Sequence, residues 1–396
     1  MNKFTVIITH FNQMKYIKTA ILSILNQTYR NIELIIADDC SPEFDFDKIE
    51  AIIKKYNHHH YKYKILSGKK NLGTVKNLNN ALKKATGDYI LFFAADDKMA
   101  NNHVIEKFVD AFKDQNKNVI TTQCGLYDEK LKNKEKDYVN KRKAQQLNQK
   151  TSKAIYEKMC EGCFYGSGGT AYRKSVFQKY GLFNEKYLFV EDWSYWLHIL
   201  RNGEKIYYED FDTLCHRDGG ISHSEYTKET IPKHVKQYYK DILNIYVDEV
   251  LPYIDQFNTR EKYRILRQYN ETILYYSSFV PELVSYLKTF DQKRVSDSKL
   301  KMYWKFKTVT NLLNPNIIQK IKILLKYNRA VPITVIFWLF ACLFIINQIE
   351  FKNKNILILL YIVLYIAIYH VVYASDKIWY HLSFKRRQEK EIRNVQ

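Results

Sequence analysis

The chain has 396 residues, which is enough for one large domain with a second element or for two ordinary domains. Its 62 Lys and Arg residues outnumber its 42 Asp and Glu residues and give a formal net charge of +20, so we expect anionic partners. No nucleic-acid-binding motif is present, so nucleic acid is not expected among them, and the amino terminus lacks the basic and apolar regions of a signal peptide, so the main body is expected to stay in the cytosol.

The first hundred residues alternate between strand-like and helix-like patterns. An apolar, β-branched run at 4–8 predicts a strand, helical spacing over 16–25 predicts a helix, and IELIIADD predicts a second buried strand. This order indicates a parallel βαβ unit, whose ligands bind beyond the carboxyl ends of the strands. The alternation continues with a helix at 47–55, a strand at 63–66, a helix at 75–85 and a strand at 89–93.

Two acidic pairs follow predicted strands. Asp38 and Asp39 end the second strand, and Asp96 and Asp97 follow the strand at 89–93. Parallel strands end at the same edge of a sheet, so both pairs are expected there. Ionised acids repel one another, and a hard divalent cation that prefers oxygen ligands is the common partner of a diphosphate. The sequence therefore predicts a metal and phosphate site at this edge.

The middle of the chain is less regular. A helix at 103–113 and a strand at 119–123 precede a polar stretch at 128–150, which predicts either an exposed, mobile insertion or a short solvated helix. A helix, the glycine-rich GSGGT, an amphipathic segment and the helical EDWSYWLHILRNG, closed by Gly203, then fill residues 152–210.

The carboxyl-terminal part is expected to be helical and to meet a membrane. Residues 232–327 have a helical pattern whose last stretch, IIQKIKILLKYNR, suits a helix in the membrane interface. The apolar runs at 330–346 and 356–374 predict a transmembrane hairpin, and the basic residues on both flanks place its ends in the cytosol. A buried helical hairpin of a soluble protein is the alternative.

Three sequence blocks resemble family 2 inverting glycosyltransferases with the GT-A fold. They begin at VIITHFNQ, NLGTVKNL and GGTAYRKS, and the resemblance covers residues 4–222. It implies an α/β GT-A fold, with a Rossmann-like mixed sheet flanked by helices, followed by a helical region and two transmembrane helices. The expected domains are a glycosyltransferase domain at 1–230, a membrane-proximal helical region at 231–329, and the hairpin with a basic tail at 330–396.

The resemblance assigns residues to the nucleotide sugar and to a divalent cation. Asp39 would accept a hydrogen bond from the uracil imide, and Asp96 would bind Mn²⁺ or Mg²⁺ on the diphosphate. The family's Asp-x-Asp-Asp motif reads Ala94, Ala95, Asp96, Asp97 here, so its first acid is missing and weakened metal use is expected. The other residues assigned to the nucleotide sugar are Thr9, His10, Asn12, Asp38, Asn71, Gly73, Lys76, Asn77, Asp97, Gly169, Thr170, His216 and Arg217.

The same resemblance implies the catalytic pair Glu191 and Asp192 at the start of a helix. Asp192 would be the general base, because an acceptor hydroxyl is a poor nucleophile until a carboxylate removes its proton. Gly168 with the two residues after it would let the backbone approach a sugar. Simpler interpretations exist: Asp38 and Asp39 could cap a turn, Asp192 could only balance a helix dipole, and His216 and Arg217 could lie in a solvated loop.

The leading hypothesis is a membrane-anchored inverting glycosyltransferase that extends a lipid-linked glycan in cell-surface polysaccharide or capsule biosynthesis. Its expected donor is a nucleotide sugar, and the resemblance implies a UDP-sugar. One alternative is a polyprenyl-phosphate glycosyltransferase, whose ionised acceptor needs no general base. The other is a degenerate, membrane-tethered binding or scaffold subunit, which the alanine at position 94 favours.

Overall fold

Nine strands form one mixed sheet in the computed structural model, which describes residues 1–218 and 230–301. The strands are β1 (Phe4–His10), β2 (Ile32–Asp38), β3 (Lys62–Ser67), β4 (Tyr89–Ala94), β5 (Lys98–Met99), β6 (Val119–Tyr127), β7 (Lys134–Asp137), β8 (Thr170–Arg173) and β9 (Ile206–Arg217). Their order across the sheet is β3-β2-β1-β4-β8-β6-β9-β5, with β7 on the side of β6.

The parallel half of the sheet consists of β3, β2, β1 and β4. Apolar and β-branched residues dominate β1, β2 and β4, whereas the edge strand β3 contains two lysines and has no fully buried residue. β2 is buried at every position, as expected for a parallel strand covered by helices on both faces. The antiparallel β8 separates this half from β6 and β9, which are parallel to each other. All four parallel strands therefore end at one edge.

Helices cover the sheet and continue beyond it. They are α1 (Ile17–Leu25), α2 (Phe46–Tyr56), α3 (Thr74–Leu82), α4 (Val104–Ala111), α5 (Lys141–Asn148), α6 (Ser152–Met159), α7 (Lys174–Tyr180), α8 (Asp192–Arg201), α9 (Lys233–Ile245), α10 (Thr259–Phe279) and α11 (Leu287–Ser296). Short 3₁₀ turns occur at Ser167–Gly169, Leu251–Gln256 and Pro281–Tyr286, and a π turn at Tyr246–Val250 continues α9. Residues Met1–Leu300 pack as one unit.

The structure confirms the α/β mixed sheet flanked by helices and followed by further helices. The stretch at 128–150 differs in part from the prediction. Its first half contains β7, which pairs with β6 through backbone hydrogen bonds although all four of its residues are exposed. Its second half contains α5, in agreement with the helical alternative.

The predicted transmembrane hairpin at 330–396 lies outside the described residues. Within residues 1–218 and 230–301, no helix combines the length and the apolar character that crossing a bilayer requires. The predicted domain boundaries at 230 and 329 stay predictions.

Candidate active site

Asp38 ties together the carboxyl ends of three strands. His10, Asp38 and Ser67 stand level across β1, β2 and β3. The buried Asp38 carboxylate accepts hydrogen bonds from Ser67 Oγ at 2.9 Å, from His10 Nδ1 at 2.8 Å, and from both the backbone N–H and the hydroxyl of Ser41. Burial raises its pKa, but these donors outweigh burial and hold the pKa of Asp38 below its ordinary value.

His10 has a defined tautomer in this network. The backbone N–H of Gln13 donates to His10 Nε2 at 3.2 Å, so Nε2 is the acceptor nitrogen and Nδ1 carries the proton donated to Asp38. The backbone N–H of Asn12, a residue with a φ of 55°, donates to Ser41 Oγ. Through these contacts the His10 and Asp38 side chains support the loop after β1.

Asp39 holds the loop that begins α3. Its two oxygens accept the backbone N–H groups of Leu72 and Gly73, each at 2.8 Å. Burial raises the pKa of Asp39, the neighbouring Asp38 raises it further, and the two amides oppose the rise. The Gly73 N–H also donates to the Asn71 side-chain oxygen at 3.1 Å, so Asn71 and Asp39 hold the same N–H group.

Gly73 occupies a backbone conformation that other residues rarely adopt. Its φ is +84° and its ψ is 162°. A Cβ at this position would lie 3.2 Å from the carbonyl oxygen of Leu188. The loop before α3 therefore needs glycine both for its conformation and for its approach to the chain at Leu188.

Two side chains of α3 have different surroundings. Asn77 is buried and donates to the carbonyl of Ala37 at 2.8 Å, which attaches α3 to β2. Lys76 is half-buried, and its ammonium group has no hydrogen bond or ion pair among the described residues. A partly buried cation without a counter-charge suits an anionic ligand. Thr9 lies at the end of β1 and donates to the Phe93 carbonyl at 3.4 Å.

Asp97 joins the turn after β4 to the end of β9. Its buried carboxylate receives His216 Nδ1 at 2.9 Å and the backbone N–H of Arg217 at 3.0 Å. Arg217 Nε donates in turn to the carbonyl of Asp96 at 2.9 Å, and the guanidinium lies 4.1 Å from the ring centre of Tyr16. The structure thus brings the predicted basic pair and the predicted acidic pair together.

Asp96 carries a buried oxygen, Oδ1, that has no hydrogen-bond partner among the residues that the structure describes. Burial and the adjacent Asp97 raise the pKa of Asp96 to about 6, with His216 opposing. A buried carboxylate oxygen without a donor is costly, and a cation would remove that cost.

A divalent cation at this site would have one carboxylate ligand from the protein, Asp96. Within the described ranges no three His, Cys, Asp or Glu side chains are grouped to hold a metal ion. Mg²⁺ commonly binds through one or two carboxylates together with substrate phosphates and water. Here Asp96 supplies one carboxylate, and Ala94 stands where the family motif has a second acid. This agrees with binding through one carboxylate together with phosphates and water.

Glu191 and Asp192 lie next to each other at the start of α8, where Glu191 is buried and Asp192 is partly exposed. Burial raises the pKa of both carboxyl groups, and the charge of Asp192 raises that of Glu191 further. The Trp193 N–H donates to Asp192 Oδ1 at 2.6 Å, and the Ser167 side chain hydrogen-bonds to Glu191. A carboxylate with a raised pKa at a helix start is a suitable proton acceptor near neutral pH.

The glycine-rich segment packs behind these acids. A Cβ on Gly168 would lie 2.4 Å from Leu214 of β9 and 3.6 Å from Cβ of Phe93, and a Cβ on Gly169 would lie 2.6 Å from Cys124 Sγ. Thr170 is fully buried and donates to Thr121 or to the Gly166 carbonyl. These residues fill the interior between β4, β6 and β9, so close packing accounts for the two glycines.

A series of contacts joins the three predicted acids along the carboxyl edge. Asp39 holds Gly73, Gly73 meets Leu188, and Glu191 and Asp192 follow three and four residues later. From there the series runs through Ser167 and its 3₁₀ turn, which packs on β4 and β9. The ends of those two strands carry Asp96 and its basic neighbours.

Two contributors to the site were missing from the sequence prediction. Ser41 supplies two donors to Asp38, and its position three residues after that acid is a recognisable turn signal. Asp241 of α9 holds the chain before Glu191, and nothing in the local pattern of its helix marks it.

Comparisons with known proteins agree with the resemblance. Residues 5–181 match the model of glycosyl transferase family 2. An uncharacterised glycosyltransferase of Haemophilus influenzae is 31% identical over 204 residues, which are 50% of this chain and 60% of that protein. A dolichyl N-acetyl-alpha-D-glucosaminyl phosphate 3-beta-D-2,3-diacetamido-2,3-dideoxy-beta-D-glucuronosyltransferase of Methanococcus voltae is 25% identical over 253 residues, covering 60% of this chain and 71% of that protein. Among solved structures, S. aureus TarS 1–349 is 19% identical with a TM-score of 0.47, covering 69% of this chain and 72% of that one.

The mixed sheet of this α/β domain gathers acidic side chains at the carboxyl edge of its parallel strands. The match to glycosyl transferase family 2 covers residues 5–181, which are less than half of the chain. The chain spans less than two thirds of the length of the H. influenzae relative.

Proposed function

We propose that this protein is an inverting glycosyltransferase that moves a sugar from a nucleotide sugar to a hydroxyl group. The observation that carries this proposal is the buried oxygen of Asp96, which has no partner within residues 1–218 and 230–301 and lies beside the basic pair His216 and Arg217. A cation on that oxygen and positive charge from the pair suit the diphosphate of a sugar nucleotide.

Different side chains of the site have different roles in the proposed reaction. Asp192 takes the proton of the acceptor hydroxyl as its oxygen forms a bond to the anomeric carbon, and the bond from that carbon to the diphosphate breaks. This single displacement inverts the anomeric carbon. A divalent cation bound at Asp96 would neutralise charge on the departing nucleoside diphosphate. Lys76, which has no counter-charge among the described residues, and Arg217 contribute further positive charge to the donor.

The donor is proposed to be a UDP-sugar and the acceptor a lipid-linked glycan in cell-surface polysaccharide biosynthesis. The Asp39 carboxylate lies at the strand edge where the resemblance places the uracil imide. The net charge of +20 and the apolar, basic-flanked runs in residues 330–396 support a cytosolic domain at a membrane that carries an anionic acceptor. The M. voltae relative's name, which specifies a dolichyl-linked phosphate acceptor, is in line with this.

A donor screen tests the proposal. The full-length protein is incubated with a panel of nucleotide sugars, with Mn²⁺ or with EDTA, and release of the nucleoside diphosphate is measured. We expect turnover of one UDP-sugar with Mn²⁺, and at least a tenfold loss in D96N. The control is D47N, which removes an exposed carboxylate on α2.

Two results would contradict the proposal. Absence of turnover and of nucleotide binding across the whole panel would favour the scaffold alternative. Equal rates for wild type and D96N would show that the Asp96 oxygen has no part in donor chemistry.

A further inference from the structure

The chain just before the catalytic pair is held by a helix outside the matched domain. The N–H groups of Leu188 and Phe189 both donate to Asp241 Oδ2, at 2.8 and 2.9 Å. Gln237, one turn earlier in α9, donates to Asp241 Oδ1 at 2.8 Å. Asp241 is fully buried, so its carboxylate is committed to these three donors.

The same short segment also faces the donor loop. The Leu188 carbonyl accepts the N–H of Val75 at 3.2 Å and lies against Gly73, whose own N–H is held by Asp39. Glu191 and Asp192 come three and four residues after Leu188. Leu188 thus has its N–H fixed by α9 and its carbonyl fixed by the start of α3.

We propose that Asp241 is a positioning residue that sets the catalytic pair relative to the donor loop. The proposal rests on the proposed function of that pair. Two hydrogen bonds from consecutive amides converge on one carboxylate oxygen and restrict both the position and the direction of the segment, because a single bond would leave it free to rotate. Since 1 Å of misplacement can cost about 100-fold in rate, a helix beyond residue 230 becomes part of the catalytic unit.

A nearby contact supplies the control. Asp248, in the π turn after α9, pairs with Lys186 Nζ at 2.6 Å and with the Tyr187 hydroxyl at 3.2 Å. It contacts these two side chains just before Leu188, and it accepts neither the Leu188 nor the Phe189 amide. D248N therefore removes a charge next to the segment and leaves the two amide bonds in place.

The test compares D241A, D241N and D248N in the full-length protein. Backbone amide exchange is followed in a peptide spanning residues 187–190, and kcat, KM and the affinity for UDP with Mn²⁺ are measured. In D241A we expect faster amide exchange and a loss of kcat of about 10- to 100-fold, with UDP affinity within about threefold of wild type. In D241N we expect kcat within about threefold, because the asparagine oxygen accepts both N–H groups and Gln237 can turn its own side-chain oxygen towards the new NH2 group. D248N should resemble wild type.

Each other outcome counts against the proposal. If D241A exchanges these amides as slowly as wild type, Asp241 does not hold the segment. If D241A loses UDP affinity and melting temperature in proportion to kcat, the role is only structural. If D241N is as inactive as D241A, acceptor geometry is not what matters. Failure of the proposed function can be told apart from failure of this proposal, because the comparison of amide exchange needs no enzymatic turnover.

Discussion

Replacing Gly73 with Ala tests whether the loop before α3 forms part of the donor site. At φ +84° and ψ 162° a residue with a Cβ is strained by about 1–3 kcal/mol. The new Cβ would also lie 3.2 Å from the Leu188 carbonyl oxygen, so either the loop or the segment at Leu188 must shift. A shift of this kind disturbs the two amides that Asp39 holds.

Gly181 provides a matched control. It follows α7 with φ +84° and ψ 178°, and a Cβ there would meet no atom within 4 Å. G181A therefore carries similar backbone strain without the contact. At about 2–4 °C per kcal/mol, both variants should lower the melting temperature by roughly 2–12 °C.

Only Gly73→Ala should also weaken nucleotide binding. We expect its UDP affinity, measured by calorimetry with Mn²⁺, to fall by about tenfold, which corresponds to about 1.4 kcal/mol. G181A should bind UDP like wild type. Equal UDP affinities for the two variants, despite equal losses in melting temperature, would refute the placement of the donor beside this loop.

Three further substitutions probe separate parts of the site. D192N should lower kcat by about 100- to 10,000-fold while UDP affinity is kept. The wild-type rate should fall as the pH drops through the raised pKa of Asp192, because the protonated carboxyl group cannot accept the hydroxyl proton. Unchanged turnover in D192N would instead favour an acceptor that is already ionised. D38A should lower the free energy of unfolding at pH 7 by about 3 kcal/mol or more, because Ser41, Ser67 and His10 lose their acceptor. The pKa of Asp38 is depressed in the fold, so in urea titrations the difference from wild type should be complete above the ordinary value of 3.8 and shrink as the pH falls through the depressed value. R217K should raise the donor KM by about tenfold, since lysine cannot both hold the Asp96 carbonyl and stack on a ring; a KM equal to that of wild type would contradict this role.

The parallel half of the fold could be predicted because its signals are local. The apolar runs of β1, β2 and β4 are bounded by polar residues, and helical spacing separates them. Strand order then placed Asp39 and Asp96 at one edge, and the structure has them there. Helix α8 could likewise be predicted, because acidic residues precede its apolar run and a glycine follows it.

The other half depends on contacts distant in sequence. β9 pairs with β6 across 87 to 90 residues, and its mixture of acidic and aromatic residues has no alternation that marks a strand. The hydrogen-bond partners of the acids also could not be predicted from the sequence. Asp38 and Asp97 look like ligand acids in the sequence, whereas in the fold their carboxylates are occupied by strand-end donors.

Location of bound Mn²⁺ tests the central claim most directly. Anomalous scattering from crystals of the full-length protein grown with Mn²⁺ and UDP would locate the ion and the nucleotide. We predict a manganese peak at the Asp96 carboxylate, the diphosphate towards His216 and Arg217, and the uracil near Asp39. A manganese or uridine position away from the carboxyl edge of β1, β2 and β4 would contradict the account.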